Sequence, residues 1–98
     1  MAVVEVSFIA PAGTGPQDNA YPDAVQIIDT TASNQVSTIA ALNTGSTVIV
    51  HASGGRVRVS IGANPDATTD ANRRLVADGQ IRAFTGVVLG HRVAVVDA

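Results

Sequence analysis

The chain contains no cysteine, no lysine and no tryptophan, and its 98 residues include one methionine, one tyrosine and two phenylalanines. Without cysteine there is no disulfide framework, no thiolate metal site and no thiol nucleophile, which fits synthesis in a reducing cytoplasm. Without lysine, six arginines face eight acidic residues and the net charge is −2. A broad electrostatic grip on nucleic acid is therefore not expected. Three aromatic side chains are a poor supply for stacking bases or sugar rings. No segment approaches the roughly 18 apolar residues of a membrane span, and the N-terminus lacks a basic region followed by a signal-length apolar run. The expectation is a chain with no membrane partner and no leader.

What is present is aliphatic and branched. Fifteen valines, seven isoleucines and nine threonines stand against three leucines. β-Branched side chains lose rotamer freedom in a helix and suit a pleated, half-buried surface. The composition, 46% hydrophobic and 14% charged, specifies one all-β domain over residues 1–98.

Alternation places the strands. In Val3–Ile9, Val4, Val6 and Phe8 share one face. "PAGTGPQDNAYPD" (Pro11–Asp23) breaks any regular element. Further strands are expected over Ala24–Thr31 and Gln35–Ala41. "STVIVHASGGRVRVSIG" reads as a hairpin, Thr47–Ala52 and Arg56–Ile61, turning at Gly54-Gly55. In its second arm Val57, Val59 and Ile61 point one way and Arg56, Arg58 and Ser60 the other. Gln80–Val87 and His91–Val96 complete about seven strands, the count of a β-sandwich or small jelly-roll-like barrel. Between Ile61 and Gln80 lies a long polar excursion, "GANPDATTDANRRLVADG". Loops of this length are usually functional or disordered. Pro65, the apolar Leu75-Val76 and the mixture of acids with Arg73 and Arg74 favour order. The expectation is a loop laid across the sandwich edge, with Leu75 tucked inward and Asp66, Asp70, Arg73 and Arg74 offered to a neighbouring molecule; an ordered loop that touches only its own domain is the alternative.

No chemistry-bearing constellation stands out. Asn64, Asp66, Asp70 and Asp78 carry oxygens, but their spacing is not that of a Ca²⁺ loop and there is no closing Glu; Asn64-Pro65-Asp66 is a turn signal. His51 and His91 lie outside any nucleophile-elbow context. "GTG" at Gly13–Gly15 has no following Gly-Lys-Ser/Thr and is not a phosphate loop. Neither a cofactor nor a metal is expected, and no enzymatic activity. Arg56 and Arg58 share a polar strand face, with His51 near them if the hairpin forms. That face is either solvated or paired across a protein contact. Tyr21, in the Pro/Gly-rich loop, is the one candidate platform for a sugar-binding module.

The C-terminal stretch Val57–Val96, "VRVSIGANPDATTDANRRLVADGQIRAFTGVVLGHRVAVV", resembles a segment of small structural proteins of tailed phages. The resemblance rests on Gly62, Asn64, Pro65, Ala67, Thr68, Leu75, Ala77, Gly79, Gly90 and Val93–Val96. It is nearest to capsid decoration (cement) proteins, with head–tail or tail components next. It implies a non-enzymatic virion protein, made in the host bacterial cytoplasm, that binds the major capsid protein, stabilises the shell and assembles as a homotrimer.

Overall fold

The computed structural model describes residues 2–9 and 24–98. Within them eight strands form and no helix: β1 (Val3–Ile9), β2 (Ala24–Asp29), β3 (Gln35–Val36), β4 (Ser46–Ser53), β5 (Val57–Gly62), β6 (Arg74–Val76), β7 (Ile81–Val87) and β8 (Arg92–Asp97). They build two antiparallel four-stranded sheets, ordered β2-β1-β4-β7 and β3-β8-β5-β6. The apolar phase of each strand faces the other sheet. Val4, Val6, Phe8, Val48 and Val50 of the first meet Val57, Val59, Val76, Val93 and Val95 of the second in one core. Phe8, wholly buried, is its largest member, and truncating such a residue to Ala costs about 3–5 kcal/mol.

The all-β expectation holds as two packed sheets with one strand more than expected. Three details differ. The expected hairpin does not form: β4 pairs with β1 and β7, whereas β5 pairs with β8 and β6. Alternation tells which way a side chain points but not which strand lies beside it. Both valine rows are apolar because they meet face to face across the core, and the chain at Ser53–Arg56 crosses from one sheet to the other. Gly54, at φ 86°, takes a conformation that costs most residues energy, and its N–H donates to Asp78 Oδ1 at 2.9 Å. Next, the strand expected over Gln35–Ala41 stops at Val36. Ser37 Oγ donates to the Ile39 carbonyl at 2.7 Å, and Gln26 Oε1 accepts from the Thr38 and Ile39 amides at 2.8 and 3.3 Å. Side-chain bonds of this kind compete with the ladder and turn the chain.

The long excursion, finally, holds a strand of its own. Arg74–Val76 pairs with β5 in the register Val57↔Val76 and Arg58↔Leu75. That register turns Val76 into the core, fully buried, and leaves Leu75 42% exposed, the reverse of the expected anchor. One residue of phase separates the two outcomes.

Candidate interaction surface

Segment 63–73 leaves β5 and folds over the outer face of the second sheet. Ser60, Ala94 and Val96 lie on that face, because Val59, Val93 and Val95 on the same strands point into the core. All three are nevertheless buried. The cover is Ala67, which packs with Ala94 and Val96 in a second, smaller apolar cluster. β8 is thus apolar on both faces, as its unbroken Val-Ala-Val-Val run requires.

Polar groups then lock the segment. Asp66 begins a turn: its Oδ1 accepts from the Thr68 amide at 2.9 Å and from the Thr68 hydroxyl, and its carbonyl accepts from the Asp70 amide at 2.9 Å. Asp70 Oδ2 accepts from the Asp66 amide at 2.9 Å and from the Ser60 hydroxyl. These donors favour the ionised forms. The Thr68 hydroxyl and amide hold the Asp66 carboxyl below its usual range. The Asp66 amide, then the Ser60 hydroxyl, do the same for Asp70. From the other side Asn34, between β2 and β3, clasps the loop. Its Nδ2 donates to the Pro65 carbonyl at 3.2 Å and its Oδ1 accepts from the Ala67 amide at 2.8 Å.

The residues singled out from sequence fall into separate places. Asp66 Oδ1 bonds within the loop, and Asp70 Oδ2 ties the loop to Ser60 of β5. Arg73, half-buried, donates from Nη1 to the Asp70 carbonyl at 2.8 Å. Arg74 is exposed on the short edge strand β6, alongside Val59 on the core-facing side of the sheet. Arg56 and Arg58 are exposed, and Arg58 stands between Leu75 and Val96 in the register. His51 is on the other sheet, opposite Glu5 and Ile81, and has no cross-strand relation to Arg56 or Arg58. Tyr21 lies outside the described residues.

Two concavities border this region. Asn34, Val36, Asn64, Pro65, Asp66 and Arg92 line a shallow groove of about 400 Å³. At the sandwich edge Val59, Ile61, Asn72, Arg74 and Phe84 surround a smaller one of about 130 Å³. Arg82 bridges the sheets beside it, 5.5 Å from the Phe84 ring centre and donating to the Leu75 carbonyl at 3.2 Å. Sequence reasoning passed over Asn34, Arg92 and Arg82. The spacing Arg82-x-Phe84 does place both side chains on one strand face. Asn34, by contrast, sits in a turn with nothing to mark Pro65 and Ala67, far along the chain, as its partners. Among the described residues no three His, Asp or Glu side chains group as a metal site would require. The arrangement is a surface held in one shape by its own hydrogen bonds, with arginines at its margin. No protein-family model, curated protein or solved structure matches the chain.

Proposed function

We propose that this chain is a non-enzymatic capsid decoration protein of a tailed phage, which binds the major capsid protein and reinforces the shell from the virion surface. The observation that carries the reading is the locked segment 63–73. It holds Asn64, Pro65, Ala67 and Thr68, four of the residues on which the phage resemblance rests, and its conformation is set before any partner arrives. A surface ordered in advance loses little conformational freedom on docking, so more of its contact energy appears as affinity. Arg58 and Arg92, on the same outer face of the second sheet as this segment, have the planar donor fork suited to carboxylates at a protein contact. A protein that binds the assembled lattice better than the free capsid subunit shifts the equilibrium toward the closed shell by mass action.

The test is co-sedimentation with expanded, undecorated phage capsids. Stoichiometric recovery in the capsid fraction is expected, with a loss of about tenfold or more in affinity for Arg58→Ala/Arg92→Ala, equivalent to about 1.4 kcal/mol. Absence from the capsid fraction refutes the function. Binding by the double variant with unchanged affinity and salt dependence refutes this surface as the contact.

A further inference from the structure

The outer face of the β2-β1-β4-β7 sheet exposes large apolar side chains on its flanking strands, around Glu5, Ser7 and His51. Its cross-strand rows follow from the register. One row reads Ile27, Glu5, His51, Ile81; the next reads Val25, Ser7, Ile49, Ala83. Ile27 and Ile81 are each 64% exposed, and Val25 49%. The charged-row pattern is apolar, acid, imidazole, apolar, and it is its own complement. A two-fold axis parallel to the strands, in the plane of contact and between β1 and β4, exchanges β1 with β4 and β2 with β7. Glu5 then lies over His51 of a second copy, His51 over Glu5, and Ile27 over Ile81. Val25 meets Ala83, while Ser7 is already buried within its own chain.

We infer that this face binds a second copy of the same chain, as an isologous two-fold pair of sheets packed face to face. Glu5 and His51 stand opposite each other within one chain, and a second copy sets another such pair over them, reversed, while covering both flanking isoleucines. Burying this pair against an apolar surface would leave part of its hydrogen-bonding capacity unmet, at a cost. The two-fold supplies both partners at once, since an imidazole N–H donates to a carboxylate in either protonation state. A three-fold arrangement sets this face against a different surface and loses the match. The two-fold pair therefore replaces, for the protein in free solution, the trimer implied by the phage resemblance, and it does not depend on the function proposed above.

Strands about 4.8 Å apart and six to eight residues long at about 3.3 Å each give a face of roughly 20 by 20–25 Å, or about 400–500 Å² in projection. A standard contact buries about 800 Å² per partner. The pair is accordingly weak, with a Kd expected at about 10 µM to 1 mM.

Sedimentation equilibrium on the full chain, from about 10 µM to about 1 mM, reads the assembly. The average mass should rise from 9.9 kDa toward twice that value. Glu5→Lys should weaken association at least tenfold, and Glu5→Lys/His51→Glu should restore it. Circular dichroism of each variant verifies the fold. A second readout uses the absence of native cysteine. Packed sheets lie about 10 Å apart, beyond disulfide reach, so the probe is a bis-maleimide of about 10 Å span. Chains carrying Ile27→Cys, mixed with chains carrying Ile81→Cys, should cross-link to each other in preference to like pairs. A single-chain mass throughout, a limiting mass of three chains, Glu5→Lys leaving association intact, failure of the swapped pair to restore it, or like pairs cross-linking as well as unlike ones would each overturn the inference.

Discussion

Asn34→Ala removes the clasp on segment 63–73 without touching the segment itself. Two hydrogen bonds are lost, at 3.2 Å to the Pro65 carbonyl and 2.8 Å from the Ala67 amide. A typical bond contributes about 1 kcal/mol net, and a buried donor left without a partner costs about 1–3 kcal/mol. Ala67 has no exposed surface, so its amide falls in the second category. The vacated side-chain volume lets water reach the Pro65 carbonyl, which returns part of the first bond. The expected destabilisation is about 2–3 kcal/mol, a large share of the roughly 5–15 kcal/mol of a small domain. At about 4–8 °C per kcal/mol this lowers Tm by roughly 8–24 °C. Urea titration with an unchanged m-value would assign the loss to the folded state. Hydrogen exchange separates local from global opening. If the loop lifts by itself, the Ala67 amide should exchange roughly 30- to 150-fold faster while the core amides of β1 and β4 keep their rates. Asn34→Asp, which keeps the acceptor for Ala67 but loses the donor to Pro65, should fall between parent and Asn34→Ala. A change within about 0.5 kcal/mol for Asn34→Ala, the ordinary range of exposed substitutions, would refute the clasp.

Three further outcomes follow from other residues. The Asp66 and Asp70 carboxyls are held below their ordinary value of 3.8, so their contribution is complete above that value and is lost as pH falls through the lower folded-state values; acid titration of the parent should show this loss below about pH 4, and Asp70→Asn should flatten that limb. Gly79 has φ +78° and Gly62 has no positive φ, and a Cβ at either meets nothing within 4 Å; Gly79→Ala should cost about 1–2 kcal/mol, whereas Gly62→Ala should stabilise by about 0.4–1 kcal/mol, both by urea titration. Thr30, fully buried, accepts from the Ala2 amide at 2.8 Å and is bonded to Asp97; Thr30→Val leaves that amide unpaired and should cost about 1–3 kcal/mol by thermal unfolding.

The legible part of this chain was the direction in which side chains point. Val4, Val6 and Phe8, or Val57 and Val59, alternate strictly, and each sits in the core. Neighbourhood was not legible, since a period of two is the same whether the next apolar strand lies beside or across. Hence β4 and β5 read as a hairpin although they belong to different sheets. The short strand β6 escaped because three residues carry too little periodicity, and the choice between Leu75 and Val76 turns on a register that β5 sets. The covered outer face did leave a trace. Val93-Ala94-Val95-Val96 is apolar at every position, the mark of a strand buried on both sides, and Ser60 beside Ala94 left room for Ala67. Of the surface, Arg56, Arg58, Arg73 and Arg74 were visible as charges. Their division into loop-bound and exposed depends on the Asp70 carbonyl that Arg73 reaches, a contact that no local pattern encodes.

The repeated crossing of the chain between the two sheets has a consequence for how the chain acquires its structure. β3 is paired with β8 alone, and β5 has β8 on one side and the three-residue β6 on the other. Until β8 has been synthesised, the second sheet has no centre, β3 has no strand to pair with, and the valines of the first sheet have only β5 and β6 to cover them. Loop closure over most of the chain length must precede the contacts that reward it, which puts folding in the millisecond-to-second range typical of such topologies. A nascent chain stalled before β8 would expose these valine rows and unpaired strand edges together, the combination that chaperones and aggregation both recognise.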